Sequence, residues 1–326
     1  MSTFDVAVIG GGAAGLSAAL VLTRARRQVV VIDGGRPRNA PAAHMQGFLG
    51  SDGLPPAALL AAGRAEVAGY GGRLVDGEVV DLRADRAEGT HARPGFTIGL
   101  ADGSTLQARR VLVTTGLRDD VPDIPGVRER WGRDLLHCPY CHGYEVRDQP
   151  LGVLGGGPGA LAHAHLVRQW SDDVVYFADG RTLTADERQQ LVARAVGIVD
   201  APVTRLVVDD DRLTGVEVAT GQVVPRAAVF VRPRFAPNDT LLTGLGCATR
   251  PDGWVVTDAT GRTSVAGVWA AGNAVNPRAQ VVTAAGEGSA AAIAVNNDLV
   301  DEDVLVAVAN FRLGLPLPGR RPYSLT

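Results

Sequence analysis

Two cysteines with the spacing Cys-x-x-Cys, Cys138 and Cys141, are the residues of this chain best suited to chemistry. At this spacing, two sulfurs reach disulfide distance across a tight turn. Attack on or by sulfur requires the thiolate, and a nearby imidazole can lower the thiol pKa or accept the proton of a dithiol that is oxidised. Imidazoles flank the pair on both sides, as His137 and His142. The segment therefore predicts a redox-active pair.

Three other interpretations of this segment carry less weight. Cys-x-x-Cys-His is also the attachment pattern of c-type haem, but that chemistry needs an export signal, and the N-terminus is typical of a buried strand without a basic leader. Structural zinc takes four ligands, and the chain has no second cysteine pair. A purely structural thiol pair does not explain the flanking His, Pro and Tyr. We therefore expect no metal here, and we expect Cys247 to be a small buried residue.

Composition limits the other functions that the chain could have. Its 326 residues are enough for two domains with real cores, and 46% of them are hydrophobic. The formal net charge is −3, which gives no basic surface for nucleic acid or anionic lipid. Three cysteines do not form a secreted disulfide framework, and no apolar run approaches the roughly 20 residues that span a bilayer. We expect a soluble, cytoplasmic protein that binds neither nucleic acid nor membrane.

A dinucleotide-binding signature opens the chain. An apolar strand from Phe4 to Ile9 runs into Gly10-x-Gly12-x-x-Gly15, which is followed by an Ala-rich helix and a second buried strand that ends at Asp33. The glycines allow a tight turn, close approach of a pyrophosphate, and packing of the helix on the strand. The acid at the end of the second strand can accept a hydrogen bond from a ribose hydroxyl.

The same pattern returns in the middle of the chain. A strand from Leu151 to Leu154 precedes Gly155-x-Gly157-x-x-Ala160, and a helix and a strand ending at Phe177 follow. This turn also looks able to hold a pyrophosphate. Other predicted features are an irregular loop over 34–53 that holds His44, strands over 105–109, 110–115 and 254–257, a hairpin turn at Asp102-Gly103, a hinge over 119–129, a capping box at Thr184, a helix over 281–299, and an exposed tail over 314–326.

The order of these motifs resembles the low-molecular-weight thioredoxin reductase family over roughly residues 3 to 305. The resemblance rests on the two glycine turns, the Cys-x-x-Cys just before the second, and Gly-Val-Trp-Ala-Ala-Gly-Asn at 267–273. It implies an α/β fold of two Rossmann-like domains and a homodimer. An FAD-binding domain would take residues 1–118 and 248–326, and an inserted NAD(P)-binding-like domain, with the cysteine pair, residues 119–247.

Site residues follow from the resemblance position by position. Cys141 would face the flavin, Cys138 would exchange with the substrate, and His142 fills the family's acid/base position. The second glycine turn, at Gly155, Gly157 and Ala160, matches a possible site for NADPH or NADH. The residues that match the FAD site are Gly10, Gly12, Ala14, Gly15, Asp33, Gly34, Thr115, Gly116, Gly272, Asn273, Gln280 and Val281.

Departures from the family pattern bear on the direction of electron flow. The reductases usually have Asp where this chain has His142, and Asp where it has Asn273. Their Arg-Gln-Val is replaced by Ala279-Gln280-Val281, and their arginine clamp for the extra phosphate of NADPH is missing. Arg181 and Arg188 are the only cations near that position in the sequence. The run Cys-His-Gly-Tyr-Glu instead resembles the family's dithiol oxidase branch, which uses flavin with oxygen and needs no nicotinamide.

The first hypothesis is therefore an FAD-dependent dithiol oxidase that closes a disulfide in a small molecule or peptide. The second is an NAD(P)H-dependent reductase of thioredoxin-like proteins or small disulfides. A third, from another class, is a flavin-bearing redox sensor without turnover, for which the sequence offers no partner-binding module.

Overall fold

The computed structural model describes residues 3–85 and 95–315. Of the tail predicted over 314–326, residues 316–326 lie outside the described residues. The strands are β1 Thr3–Ile9, β2 Val29–Asp33, β3 Arg73–Asp76, β4 Val79–Ala84, β5 Phe96–Leu100, β6 Thr105–Val113, β7 Leu117–Asp120, β8 Leu135–Leu136, β9 Leu151–Leu154, β10 Val174–Phe177, β11 Val196–Val199, β12 Val203–Asp209, β13 Arg212–Val218, β14 Val223–Pro225, β15 Ala228–Phe230, β16 Arg234–Pro237 and β17 Val268–Ala270. The helices are α1 Ala13–Arg24, α2 Pro56–Gly69, α3 Val127–Arg130, α4 Pro139–His142, α5 Ala160–Val167, α6 Ala185–Ala193, α7 Thr240–Gly244 and α8 Val281–Arg312.

The chain divides into two compact units, as far as its residues are described. The first unit takes in Met1–Gly35, Leu60–Gly116 and Asn238–Thr326, and the second takes in Arg36–Leu59 and Leu117–Pro237. The domain bounds predicted from the sequence, 118/119 and 247/248, stay a prediction. The two units begin and end at other residues, because the predicted loop after β2 belongs to the second unit.

A seven-stranded sheet forms the core of the first unit, in the order β3-β2-β1-β6-β5-β4, with β17 paired to β6. Strands β3, β2, β1, β6 and β17 are parallel, and β4 and β5 join through antiparallel pairs. Helices α1 and α8 pack against one face, where Ala18, Ala19, Ala291 and Ala292 are fully buried. Small side chains let helices approach closely, so the Ala-rich composition of these segments explains their packing.

A five-stranded, fully parallel sheet forms the core of the second unit, in the order β11-β10-β9-β15-β8. Its central strands are short apolar runs that are buried on both faces, as parallel strands generally are. An antiparallel sheet of β12, β13 and β14 and the antiparallel pair of β16 and β7 complete this unit. The second glycine turn and the cysteine pair both follow parallel strands of the five-stranded sheet.

Several expectations are confirmed and three are corrected. The strands at 151–154 and 174–177, the hairpin turn before β6 and the capping box at Thr184 are all present. The strands expected over 105–109 and 110–115 are one strand, β6, because its pairing with β1 is continuous. No named strand forms over 254–257, where Val255 makes only an isolated bridge to Thr249. The last helix ends at Arg312, well beyond the expected 299.

None of the helices in the described ranges is long and apolar enough to span a membrane.

Candidate functional site

The predicted cysteine pair is a disulfide in the second unit. Cys138 and Cys141 are bonded, with their Cα atoms 5.2 Å apart. Cys138 immediately precedes α4, whose first residue is Pro139, and its carbonyl accepts hydrogen bonds from the backbone N–H groups of Cys141 and His142, both at 3.1 Å. Proline at the first position of a helix has no N–H to leave unpaired. The tight turn that the spacing predicts is thus held by the backbone, with both cysteines half-buried.

An aromatic cluster supports this turn. A Cβ at Gly143 would lie 2.9 Å from the ring of Trp170, so only glycine allows the indole to approach this closely. The indole meets Tyr140 edge to face, with ring centroids 5.6 Å apart. Tyr140 and Tyr144 are both 65% exposed, so two aromatic side chains stand in solvent beside the disulfide. Trp170 was missed at the sequence level because it lies about thirty residues further along the chain.

His142 is suited to accept a proton. Its imidazole is half-buried, and burial lowers its pKa below the ordinary 6.5, while the carboxylate of Glu145 raises it in part. A histidine with a lowered pKa is neutral at pH 7, which is the state that a general base needs. The role assigned to His142 stays a prediction that is consistent with this environment.

His137, on the other side of the pair, is held by the sheet. Its Nδ1 lies 3.2 Å from the carbonyl of Val231, and its ring meets Phe235 edge to face at 5.1 Å. Donation from Nδ1–H to this carbonyl leaves Nε2 as the bare nitrogen. Burial lowers the pKa of His137, and the charge of Arg38 lowers it further. Its ring also contacts His163, with centroids 5.8 Å apart, a contact that the sequence does not indicate.

The first glycine turn has the shape that a pyrophosphate needs. Gly10 has φ +108°, and a Cβ there would lie 2.5 Å from the carbonyl oxygen of Thr114. A Cβ at Gly15 would lie only 1.9 Å from the carbonyl oxygen of Gly10. No described atom comes within 4 Å of a Cβ at Gly12, and α1 begins directly after it without a side-chain cap. Free N–H groups therefore face open space, as phosphate binding requires.

Asp33 lies at the end of β2, next to this turn. A Cβ at Gly11 would lie 2.7 Å from its Oδ2, which places the carboxylate against the glycines. Nη1 of Arg64, a residue not singled out from the sequence, lies 3.6 Å from the same oxygen. Gly34 follows and is exposed. A carboxylate at this position can accept a hydrogen bond from a ribose hydroxyl.

Thr115 and Gly116 are held by Asn238. The hydroxyl of Thr115 donates to the Asn238 carbonyl at 2.6 Å, and the Asn238 side-chain amide donates to the Thr115 carbonyl at 3.0 Å. The backbone N–H of Asn238 donates to the carbonyl of Gly116, also at 3.0 Å. These three bonds join the two ends of the first unit's interrupted chain. Asn238 could not be found from local sequence, because it lies 123 residues from Thr115.

The structure gives a reason for Asn273 in place of the usual Asp. Its side-chain amide donates to the carbonyls of Asn276 and Ala279, at 2.9 and 3.0 Å, and a carboxylate could not donate either bond. Glu287 accepts hydrogen bonds from the backbone N–H of Gly272 and the side chain of Asn276, at 3.0 and 2.6 Å. Asn and Glu therefore fix the loop after β17, and sequence reasoning did not single out Glu287.

Ala14 brings this loop and the first glycine turn together. A Cβ at Gly288 would lie 2.0 Å from the Ala14 carbonyl oxygen, and a Cβ at Gly272 would lie 2.9 Å from the Ala14 Cβ. Gln280 occupies the N-cap position of α8 without a side-chain hydrogen bond, and α8 begins at Val281 directly after the loop. The FAD residues predicted in the first turn and in the C-terminal segment are thus neighbours in the first unit. The open glycine turn, the acid and this loop fit an FAD molecule.

At the second glycine turn, unlike the first, the side chain of an arginine lies against the backbone. Gly159, which precedes α5 at Ala160, has φ +76°, and a Cβ there would lie 2.5 Å from Nη1 of Arg232. A Cβ at Gly157 would lie 3.3 Å from the Arg232 carbonyl oxygen, and one at Gly155 would lie 2.5 Å from that of Phe177. A guanidinium therefore lies beside Gly159 at the second turn, and the space at Gly157 is narrower than the space at Gly12, where no described atom comes within 4 Å.

The two arginines closest in sequence to the expected phosphate clamp, Arg181 and Arg188, both form ion pairs with carboxylates. Arg181 pairs with Glu187 and donates to the hydroxyl of Tyr176. Arg188 pairs with Asp200 at 2.8 Å. A carboxylate, Asp179, follows β10 at the position equivalent to that of Asp33 after β2, and its Oδ2 would lie 3.2 Å from a Cβ at Gly156. An acid at this position favours a free ribose hydroxyl over a 2′-phosphate.

Cys247 is buried, as expected, and is a free thiol whose pKa burial raises. His44 is exposed. Within residues 3–85 and 95–315, no group of three or more His, Cys, Asp or Glu side chains could hold a metal ion.

An open dinucleotide turn in one sheet-based unit and a disulfide in the other define a flavin-dependent disulfide oxidoreductase. The chain matches the model of the pyridine nucleotide-disulphide oxidoreductase family over residues 4–288, and it belongs to this family. It is 33% identical to "Thioredoxin reductase tcpT" of Claviceps purpurea, over 82% of this chain and 86% of the relative. It is 32% identical to "Thioredoxin reductase sirT" of Leptosphaeria maculans, over 93% of this chain and 96% of the relative. The crystal structure of HlmI is 62% identical and has a TM-score of 0.92, covering 95% of this chain and 97% of that one.

These comparisons confirm the predicted class, fold and cofactor. The protein is an FAD-dependent, thioredoxin reductase-like oxidoreductase with an α/β fold of Rossmann-like sheets.

Proposed function

We propose that this enzyme oxidises dithiols of small molecules or peptides to disulfides, with oxygen as the final electron acceptor. The observation that carries the proposal is the position of Arg232, whose guanidinium covers Gly159 at the second glycine turn. A nicotinamide dinucleotide needs this turn to bind its pyrophosphate. With Arg232 beside the turn, the carboxylate of Asp179 next to Gly156, and Arg181 and Arg188 already paired, we assign electron entry to a dithiol and not to NADPH.

The thiol chemistry is assigned to the cysteine pair. One thiolate of the substrate attacks Cys138, the bond between Cys138 and Cys141 breaks, and Cys141 leaves as a thiolate. The second substrate thiolate then attacks its own sulfur in the mixed disulfide, which closes the substrate disulfide and releases Cys138. Bound FAD supplies a two-electron acceptor that oxygen can reoxidise, so that the enzyme returns to its disulfide and O₂ becomes H₂O₂. Overall, one dithiol and one O₂ give one disulfide and one H₂O₂.

His142 handles protons in this scheme. Because burial keeps its imidazole neutral, it accepts the proton of a substrate thiol and later returns it to solvent. Tyr140 and Tyr144 offer an exposed aromatic surface next to the disulfide, which suits a small, partly apolar substrate.

The cofactor is assigned to the first unit. Gly10, Gly12, Ala14 and Gly15 form the pyrophosphate turn, with Asp33 and Gly34 at the ribose. The loop and helix start after β17 flank the same turn, and the residues assigned to it there are Gly272, Asn273, Gln280 and Val281. Thr115 and Gly116 complete the set through their bonds to Asn238.

A second candidate function is an NAD(P)H-dependent disulfide reductase that acts on a thioredoxin-like protein or a small disulfide. It is favoured by the survival of Gly155, Gly157 and Ala160 directly after β9, and two of the relatives are named thioredoxin reductases. The resemblance also predicts a homodimer, and the composition predicts a cytoplasmic location; both stay predictions.

Oxygen uptake with a simple dithiol tests the proposal. The holoenzyme should consume one O₂ per dithiothreitol and release one H₂O₂, and neither Cys138→Ser nor Cys141→Ser should turn over. Both variants should keep FAD, since neither cysteine lies in the first unit. Given glutathione disulfide, Cys141→Ser should keep one glutathione on Cys138 and release the other as a thiolate, which mass spectrometry detects. Trapping by Cys138→Ser instead would reverse the division of roles, and absence of uptake by the wild type would overturn the oxidase assignment.

A further inference from the structure

A cavity of about 440 Å³ lies in the first unit, between residues 257–261 and the first turns of α8. We call it the α8 cavity. Its lining includes Gly286 and Ala290, which are exposed, and Ala270 and Ala271, which are buried, so it leads from the surface into the unit. Since liquid water takes about 30 Å³ per molecule, the cavity has room for several small molecules.

Gly, Ala and Val make up more than half of the residues that line the α8 cavity. Its polar side chains are largely bonded to one another or to the backbone. Oδ1 of Asp258 accepts hydrogen bonds from the hydroxyl and the backbone N–H of Thr260, at 2.7 and 2.8 Å. The side-chain amide of Asn276 donates to Glu287 at 2.6 Å, and the second Glu287 oxygen accepts from the backbone N–H of Gly272 at 3.0 Å. A space of this kind favours small apolar molecules, such as xenon, over water.

Gly286 keeps the α8 cavity wide, although packing does not require a glycine there. A Cβ at this position would meet no described atom within 4 Å outside its own stretch of helix. Two residues later, a Cβ at Gly288 would lie 2.0 Å from the carbonyl oxygen of Ala14, so that glycine is required. Glycine inside a helix is less favourable than alanine. The missing side chain at Gly286 thus weakens the helix, and its visible effect is the open space.

The loop after β17 is a wall that the α8 cavity shares with the assigned FAD site. Ala271 and Val275 line the cavity, and Gly272 and Asn273, which lie between them in the chain, are assigned to FAD. A small molecule inside the cavity therefore lies against the loop that the FAD assignment uses.

We propose that the α8 cavity is the route by which O₂ reaches the reduced FAD. The inference rests on the proposed function, in which O₂ is the final electron acceptor. O₂ takes two electrons from the reduced FAD together with two protons and becomes H₂O₂, and FAD returns to its oxidised form. O₂ is small and apolar, as the walls of the cavity require. The cysteine pair belongs to the second unit, so the two substrates enter through different parts of the chain.

Filling the cavity from Gly286 tests the route. Gly286→Leu places its side chain in open space, so the FAD-loaded variant should fold normally. After anaerobic reduction with dithionite, its flavin should be reoxidised by O₂ at least about tenfold more slowly than in the wild type, because close-packed protein resists entry. Reduction by dithiothreitol and reoxidation by ferricyanide, a bulky anion, should be unchanged. Gly69→Leu is the matched control, because Gly69 also lies in a helix and faces open space.

Xenon binding, followed by NMR of the FAD-loaded protein, reports on the cavity without any turnover. The wild type should bind xenon saturably, and Gly286→Leu should weaken this binding at least about tenfold. Ala290→Phe fills the same cavity from the next turn of α8 and should have the same two effects. FAD content and circular dichroism should stay unchanged in both variants.

Two results would overturn the route. One is reoxidation by O₂ at the wild-type rate in both variants after they have lost xenon. The other is xenon binding that neither variant changes, since the open space would then lie elsewhere. If dithiothreitol fails to bleach the wild-type flavin, the proposed function alone is contradicted, because dithionite reduces the flavin without the cysteine pair and the reaction with O₂ can still be measured.

Discussion

The ring of His137, the residue before the disulfide, packs against the buried ring of His163, with centroids 5.8 Å apart. Neither ring nitrogen of His163 has a hydrogen-bond partner among the described residues, and only 6% of the residue is exposed. Burial, with smaller contributions from His137 and Arg232, lowers the pKa of His163 to about 4. A proton on either ring would therefore be unfavourable next to the disulfide.

His163 should make the fold sensitive to acid. Its pKa falls from 6.5 to about 4 on folding, so between these values the unfolded chain binds a proton that the folded chain does not. Above about pH 6.5, His163 does not reduce the free energy of unfolding. As the pH falls toward 4, this free energy decreases by roughly 3 kcal/mol at most. His163→Leu should remove this loss. Urea unfolding at pH 5 and pH 7.5 measures it, with exposed His44→Asn as the control, and equal losses in wild type and His163→Leu would refute the assignment.

His142 should set the acid limb of dithiol oxidation. Its pKa lies below the ordinary value because of burial, so the rate should be full at neutral pH and fall as pH drops through that lowered pKa. His142→Asn should slow the dithiol half-reaction about 100-fold and remove the limb. Glu145→Gln should shift the limb to lower pH, because it removes the carboxylate that raises the pKa. If the rate falls at the same pH in both variants as in the wild type, the titration of another group causes the fall.

Arg232 should govern access to the second glycine turn. Arg232→Ala should uncover Gly159 and strengthen NADH binding at least about tenfold, while NADPH should remain the weaker ligand because Asp179 follows β10. Arg234→Ala, two residues away and paired with Asp120 on the surface, is the matched control and should change nothing. Calorimetric titration measures both. Tight NADH binding by the wild type would show that the guanidinium does not block the turn.

Two glycines of the first turn should respond differently to alanine. Gly12→Ala places a methyl group in open space and should weaken FAD binding about tenfold without unfolding the protein. Gly15→Ala places a methyl group 1.9 Å from the Gly10 carbonyl and should prevent the turn from forming. Flavin fluorescence titration and thermal melting distinguish the two outcomes. A Gly15→Ala protein that binds FAD normally would contradict the described packing.

The sequence predicts those features of the fold that depend on local order. Both glycine turns, with the strands on either side of them, could be placed because a buried run, a turn and a helix follow one another within about thirty residues. The disulfide could be placed because its spacing is short. The continuity of β6 could not be predicted, because it depends on pairing with β1, which lies about a hundred residues earlier in the chain.

Contacts between distant residues account for what the sequence did not predict. Three such contacts join residues that are far apart in the sequence: Arg64 with Asp33, Asn238 with Thr115, and Arg232 with Gly159. The extra length of α8 was missed because its last turns expose apolar residues and lack the one-sided pattern of a packed helix.

Anaerobic half-reactions test the direction of electron flow in this enzyme. The yellow holoenzyme is mixed separately with dithiothreitol, NADH and NADPH, and flavin absorbance is followed. We expect rapid bleaching by the dithiol, recovery on admission of air, and no bleaching by either nicotinamide. Rapid bleaching by NADPH or NADH, with none by the dithiol, would contradict it and establish the reductase.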